Sequence, residues 1–287
     1  MDSGIKKALR ADGVAKVCGW LDADALAQLE ALFEWSVANP SPNATTYEGD
    51  GSSFRTDNFS PEGRALYLEA IRALPFVETL RGLWGSQHVW FYGEEIFMKR
   101  GEVPRTPWHQ DLSYYPWVGE DQTNFWIPFE PVPKSHSLEV VRGSHHGTLY
   151  DGMVFDADGS ARPLWGEAGD LPPLPDIEKE RAADPKAWDV VSYEMEPGDV
   201  MLFHLGCLHG GAPVNEHFSA RRTLSLRFYG DNVRWGELPE DTGKLSEEAR
   251  RSRASARGAC PASRCGTSAS NSSADSERSP HPRDLRG

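Results

Sequence analysis

From His88 onward the chain gives up helical spacing for a series of short β-rich runs, and this change of rhythm most limits what it can fold into. HVWFYGEEIFMK, TNFWIPFEPV, SLEVVRG, WDVVSYEMEPGDVMLFH and RRTLSLRFYG are rich in β-branched and aromatic residues, with turn signals between them. No long helical pattern interrupts the series. Strands of this kind, many and short, close into a sandwich or a jelly-roll barrel. Ahead of them, GVAKVCGWL (13–21) reads as a strand and Asp22 to Ala38 as a helix with Asp22 or Asp24 as N-cap. Leu26, Leu29, Leu32 and Phe33 recur in that helix at helical spacing. Pro61 to Leu83 carries a second helical pattern through Leu66, Ile71, Leu74, Val77 and Leu80. Two such helices are suited to buttressing the outside of a sheet.

The β-rich half also holds the residues that carry chemistry. In TPWHQDLSYYPW, His109 and Asp111 lie two apart, and on an extended chain they point to one side. With one further His they make the 2-His-1-carboxylate face that holds a non-haem ferrous ion and leaves positions open. LFHLGCLHGGAP offers two candidates. His204 alternates with Val200 and Leu202, the setting of a packed core histidine, whereas His209 precedes a Gly-Gly pair. Twelve residues beyond His209, RRTLSLRFYG supplies Arg221, the residue type that clamps a carboxylate through two parallel hydrogen bonds. H-x-D alone is a weak motif that recurs by chance. Its conjunction with a second His and a downstream Arg is the pattern of an oxygenase that consumes 2-oxoglutarate.

Other residues have plainer readings. His145 and His146 in GSHHG suit a turn or the support of a ligand, and Tyr114, Tyr115 and Trp117 suit a substrate pocket or a barrel core equally well. Arg222 should face away from Arg221 into solvent, and Lys99 and Arg100 should be surface charges at a strand end.

Taken in order, HQDLSYYPW, FWIPF, SLEVVRGSHHG, GDVMLFHLGCLHGGAPVN and RRTLSLRFYG resemble the phytanoyl-CoA hydroxylase-like iron(II)/2-oxoglutarate dioxygenases, from about residue 10 to about residue 235. The resemblance implies a mainly β fold with flanking helices, a double-stranded β-helix (jelly-roll, cupin-like) barrel. It implies Fe(II) on His109, Asp111 and His209, and so decides between His209 and His204. It further implies 2-oxoglutarate as cosubstrate with its tail on Arg221, Gln110 and Trp126 beside it, and O2 as oxidant. The reaction implied is oxidation, by preference hydroxylation, of an unactivated C–H bond in a small molecule, with succinate and carbon dioxide released. Related halogenases leave the Asp position empty for chloride, and Asp111 is present. Ser137 and Arg142 stand where the family often has Gly and Pro, and Gly211 where it often has a serine that contacts the cosubstrate. Two other classes use the same residues: a zinc hydrolase, which needs a general base nearby, and a catalytically silent barrel that only binds.

Composition sets the limits around this reading. The 287 residues, 39% hydrophobic, suffice for one substantial core, which the motifs place in a single domain over 1–245. A net charge of −13 argues against nucleic acid as a partner. No 18-residue apolar run offers a membrane span. The start lacks a secretory h-region, and four scattered cysteines suit the cytoplasm. The oligomeric state is not legible. Residues 151–187, rich in Pro, Gly and acids, read as a lid or insertion loop whose charge would repel a coenzyme A thioester. The Ser/Arg-rich tail, 246–287, lacks the apolar content to fold and reads as disordered.

Overall fold

The computed structural model describes residues 3–236 apart from 116, 156–160, 167–168 and 212, so the tail from 246 lies outside the described residues. Helix α1 (Ser3–Ala11) leads into β1 (Val14–Val17), α2 (Ala23–Ala38), the hairpin β2 (Thr45–Gly49) and β3 (Ser52–Asn58), then α3 (Arg64–Ala73) and α4 (Phe76–Trp84). There follow β4 (Val89–Arg100), β5 (Thr106–His109), β6 (Trp117–Val118), β7 (Gln122–Pro128), β8 (Leu138–Val141), β9 (Met153–Phe155) and β10 (Ala161–Pro163). The chain continues through α5 (Ile177–Ala183), β11 (Val190–Ser192), β12 (Val200–Phe203), β13 (His209–Gly211), β14 (Ala220–Gly230) and β15 (Arg234–Trp235). A seven-stranded sheet in the order β1-β12-β7-β14-β4-β3-β2 and a four-stranded sheet in the order β11-β8-β13-β5 form the jelly roll, all pairings antiparallel.

Strand alternation divides the large sheet into two faces. Phe125 and Ile127 of β7 and Leu224, Leu226 and Phe228 of β14 pack outward against Leu29 and Phe33 of α2 and Ile71, Phe76 and Leu80 of the next two helices. The helices thus cover the sheet, as their sequence pattern predicts. Residues between these, Asn124 and Trp126 on β7 and Arg221 to Arg227 at odd numbers on β14, face the space between the sheets. Val14, Trp126, Met201 and Phe203 meet Leu138, Val140 and Cys207 there and close one end of that space. A bulge opposite Arg227/Phe228 puts an extra residue into β4. It shifts the alternation, so that Phe91 and Ile96 both reach the helix-covered core while Glu95, Phe97 and Lys99 face inward.

The local signals hold in detail. Asp22 caps α2, its carboxylate accepting from Ala25 N at 2.8 Å. The second helical pattern is two helices, because Leu74 precedes Pro75 and is driven to extended backbone at ψ 162°. Gly85, at φ 77°, ends α4 in the left-handed region. The hairpin β2–β3 was not among the expected strands, although the Thr-Tyr run, Gly-Asp-Gly turn and Ser-Phe-Arg-Thr run spell one out. The described residues of 151–187 hold more regular structure than their composition implies. They include the antiparallel pair β9 and β10 and helix α5, whose Glu178 receives Trp108 Nε1 at 2.7 Å and pairs with Arg105.

Candidate active site

Register assembles the metal-ligating residues. His209 on β13 is the cross-strand partner of His109 on β5, and their rings lie 4.2 Å apart between centroids. Strand β5 ends at His109, but Gln110 stays extended (φ −120°, ψ 127°) and carries the alternation one step further. Asp111 therefore returns to the side of His109, at the start of a 3-10 turn rather than on the strand itself. Asp111 Oδ1 sits 3.7 Å from His109 Nε2 and 3.6 Å from His209 Nε2, and one ligand atom from each residue falls within 4.8 Å of the others. All three residues are sequence-predicted ligands, and His204 is not among them. It is buried elsewhere, accepting from Gly206 N at 3.0 Å, with its ring beside that of His145.

The environment fixes which atoms face the common point. Each imidazole turns its Nδ1 to a backbone carbonyl at 2.9 Å, Pro107 O for His109 and Cys207 O for His209. A carbonyl only accepts, so in the neutral ring the proton sits on Nδ1 and Nε2 presents a bare lone pair. Burial, then the neighbouring His109, pushes the His209 imidazole down to about 3. Burial would raise the Asp111 carboxyl, but Arg227, then His209 and His109, hold it well below the usual carboxylate range. Two imidazole lone pairs and a carboxylate oxygen facing one another repel unless a cation lies between them. The donor set fits a divalent metal on this ground, and nitrogen-nitrogen-oxygen chemistry suits ferrous iron.

The other Asp111 oxygen is engaged by a residue that sequence reasoning missed. Arg227 Nε donates to Asp111 Oδ2 at 2.9 Å and its Nη2 to Glu95 Oε2 at 2.6 Å, while Asn124 Nδ2 lies 3.5 Å from the same Asp111 oxygen. Both Arg227 and Asp111 are buried. The available signal was spacing: Arg227 is six residues from Arg221 on one strand, and an even separation puts both on the inner face.

A cavity of about 590 Å³ opens from the metal ligands. At its inner end, Arg221 is buried, donates to His136 O at 2.7 Å and holds its guanidinium 5.9 Å from the Trp126 ring centroid. Burial lowers this guanidinium to about 10. Tyr114 and Tyr115 line the cavity, whereas Trp117 packs among Tyr92, Tyr115 and Tyr229. The unforeseen hairpin contributes Tyr47 and Phe54, which stack in a cross-strand row with Phe97 of β4. No described residue of 151–187 lines this cavity.

Three expectations need correction. Gln110, expected beside the cosubstrate, points the other way, as alternation from His109 requires. Its amide donates to Gly206 O at 2.8 Å and accepts from Tyr150 N at 2.8 Å, which ties the loop after β8 to the metal strand. Arg222 does face away from Arg221, but into a cluster of Glu30, Glu34 and Glu130 rather than solvent. Lys99 is no surface charge: it is 2% exposed and faces the cavity.

Comparison with known proteins follows the same lines. Residues 9–222 match the family model described as phytanoyl-CoA dioxygenase (PhyH). A Caenorhabditis elegans protein described as "Probable phytanoyl-CoA dioxygenase" is 31% identical over 132 residues, which span 45% of this chain and 38% of that protein's length. Among solved structures, the fold is similar to that of the epimerase SnoN from nogalamycin biosynthesis in complex with Fe3+ and alpha ketoglutarate. There the TM-score is 0.57 at 18% identity, over 85% of this chain and 93% of that one. It is also similar to EctD from S. alaskensis with 2-oxoglutarate and 5-hydroxyectoine, with a TM-score of 0.60 at 17% identity over 86% and 82% of the two chains.

Proposed function

Since this chain belongs to the phytanoyl-CoA dioxygenase family, we propose that it is an Fe(II)/2-oxoglutarate-dependent dioxygenase that hydroxylates an unactivated C–H bond of a small molecule. One observation carries the reading: the bare Nε2 atoms of His109 and His209 and the Asp111 carboxylate converge beside a cavity whose inner end is a buried arginine. Fold neighbours hold Fe3+ and 2-oxoglutarate in their own structures. When bound, iron with 2-oxoglutarate and dioxygen supplies an oxidant strong enough for such a bond, releasing succinate and carbon dioxide.

The chain's own part is to hold, orient and exclude. His109, Asp111 and His209 would hold the metal, and the cavity that opens beside them gives room for cosubstrate and substrate. The carbonyls of Pro107 and Cys207 lock both rings. Arg227, by engaging Asp111 Oδ2, leaves one carboxylate oxygen for the metal. Arg221 receives the far carboxylate of 2-oxoglutarate, and Trp126 walls that end. Tyr114, Tyr115 and the Tyr47–Phe54–Phe97 row give the substrate an aromatic surface and keep water from the reacting bond. Glu95, an acid that a hydrolase would want as its base, is committed to Arg227. Among the described residues no helix is long and apolar enough to cross a membrane, and Cys18 and Cys207 are free thiols, in keeping with work in the reducing cytoplasm.

Anaerobic addition of ferrous ion and 2-oxoglutarate should give the visible charge-transfer band of the chelate, and air plus substrate should release succinate. A protein that binds the metal but never develops the band would sink the proposal. Screening candidate small molecules for stimulated succinate release then identifies the substrate.

A further inference from the structure

The hairpin β2–β3 gives the cavity a wall that the metal ligands themselves do not need. It continues the large sheet past β4, in the order β14-β4-β3-β2, and alternation sends its side chains to two faces. Arg55 and Asp57 take the outer face, Arg55 donating to Val37 O at 2.7 Å and Asp57 accepting from Ser41 N at 2.9 Å. Thr45, Tyr47, Phe54, Thr56 and Asn58 line the cavity. The charges of β3 are thus turned outward, and the cavity meets rings, hydroxyls and an amide. Glu48 stays at the rim, exposed to water.

The other charges on this side of the cavity are already answered. Glu95 pairs with Arg227 and accepts from Thr56 Oγ1 at 3.2 Å. Arg105 pairs with Glu139 and Glu178, and Glu102 is exposed at the mouth. Lys99 turns its ammonium to Pro104 O and Thr106 Oγ1, toward β5. An ionised group laid on the hairpin face would give up its water for a surface that offers it no counter-charge among the described residues, which is costly.

The rings set a shape and the amide a polarity. Phe54 has Tyr47 on one side at 5.9 Å and Phe97 on the other at 6.5 Å between centroids, with planes 20° and 5° apart. With its faces taken it offers the cavity an edge, and a ring edge packs well against the face of another ring. Asn58 is the cross-strand partner of Glu95, the acid that holds Arg227, which in turn holds Asp111. Its backbone carbonyl takes Asn43 Nδ2 at 3.2 Å, while its side-chain amide makes no hydrogen bond among the described residues. A cavity of about 590 Å³ is of the size that takes a drug-sized molecule.

Resting on the dioxygenase reading above, we propose that the primary substrate is an uncharged ring compound with a hydroxyl or carbonyl oxygen, its ring against the Tyr47–Phe54–Phe97 row and its oxygen on the Asn58 amide. The hairpin face is then the specificity surface. It rejects carboxylates, phosphates and ammonium groups, because nothing on it repays their lost hydration.

The test uses anaerobic protein loaded with ferrous ion and 2-oxoglutarate, and three molecules of one shape at pH 7: 2-naphthalenemethanol, 2-naphthoate and protonated 2-naphthylmethylamine. Affinity is read by calorimetry. The alcohol should bind at least about tenfold more tightly than either ion. Phe54→Leu, which keeps the apolar bulk, should weaken the alcohol about threefold to tenfold. Asn58→Leu should weaken it by about the same factor and leave 2-methylnaphthalene, which has no oxygen, bound no more weakly. The chelate band of each variant reports whether its metal site is intact. An ion that binds as tightly as the alcohol overturns the proposal, as does an alcohol affinity that either substitution leaves unchanged, or failure of all three molecules to bind. If the wild type never forms the chelate band, the functional reading itself fails. A normal band with the wrong ranking of the three molecules faults the hairpin face alone.

Discussion

At the metal end of the cavity, the chain answers its buried charges internally: Asp111 meets Arg227, and Arg227 meets Glu95. At the inner end, Lys99 and Arg221 sit side by side on neighbouring strands, and Lys99 has only a carbonyl, a hydroxyl and a ring around its ammonium. The two ends lie in one cavity and on the same two strands, β4 and β14, yet follow opposite electrostatic rules. The first is pre-organised, with two carboxylates against one guanidinium and a net negative charge that suits a dication. The second sets a lysine and an arginine on adjacent strands, Lys99 donating to the Pro104 carbonyl and Arg221 to the His136 carbonyl. An internally balanced cluster resists change in what it positions, while an unbalanced one turns its own electrostatic cost into affinity for an anion.

The contrast breaks most directly at the metal ligands. Asp111→Ala or His209→Ala should abolish iron binding and turnover together, read by iron content after anaerobic reconstitution and by loss of the chelate band. A variant that still held one iron per chain would mean that these side chains do not converge on a metal. Next in size is Arg221→Ala. Truncating one partner of a buried charge pair costs about 2–5 kcal/mol, so the KM for 2-oxoglutarate should rise at least about thirtyfold, with the KM of the primary substrate unchanged. Equal effects on both would remove Arg221 from the clamp. Arg227→Met should act on the other end alone, weakening iron about tenfold to a hundredfold in a chelator competition, as loss of an outer partner of a metal ligand does. Affinity for glutarate in the metal-free protein should stay put. Glu95→Gln, one step further from Asp111, should have a smaller effect in the same direction.

A pH experiment separates the two ends without any ligand. Lys99 binds its proton more weakly in the folded chain, at about 6, than in the unfolded one, near 10.5. Between those values the unfolded state holds more protons, so this group makes the empty protein more stable as pH rises from about 6 toward 10.5. Below about 6 it adds no further pH dependence. Asp111 gives a slope of the same sign at acid pH, where its depressed carboxyl supplies a stabilisation that is lost as pH falls, whereas Lys99 carries a cost that is relieved as pH rises. Lys99→Met should flatten the rise of unfolding temperature between pH 7 and 9. An unaltered slope would mean that Lys99 is charged in the empty site.

How much of this was legible in the sequence follows from what each residue's position depends on. The ligands could be read because alternation on a strand is local: His109 and Asp111 share a side whatever the rest of the chain does. The same rule, applied one residue over, places Gln110 on the far side, where its amide meets Gly206 and Tyr150. Asp22, Pro75 and Gly85 shape their helix ends by rules that reach three or four residues. Lys99 and Arg227 were illegible for a different reason. Their burial depends on β4 pairing with both β3 and β14, a non-local fact, and on the bulge at Tyr92 that sets which β4 side chains turn inward. A lysine at the end of a strand-like run is usually solvated. The added hairpin β2–β3, which extends the sheet past β4 and sets Phe54 against its ammonium, covers this one together with Pro104 and Thr106.

Arg222 offers the control that sharpens the comparison, because it is charged, adjacent to Arg221 and outside the cavity. Its guanidinium meets Glu130 at 2.5 Å, Glu34 at 2.6 Å and Glu30 at 2.6 Å, which fastens β14 to α2 on the helix-covered side of the sheet. The side chain is 25% exposed and all three of its acids are more so. Water and salt therefore screen the cluster, and exposed ion pairs contribute little individually. Arg222→Met keeps the apolar stem over Phe33 and Phe129 and should cost about 1 kcal/mol of stability, less at high salt. Iron, 2-oxoglutarate and glutarate affinities should match the wild type. A loss of 2-oxoglutarate affinity in this variant, comparable to that of Arg221→Ala, would show that the clamp depends on how β14 is seated against α2, and the sharp division between the two faces of that strand would have to be given up.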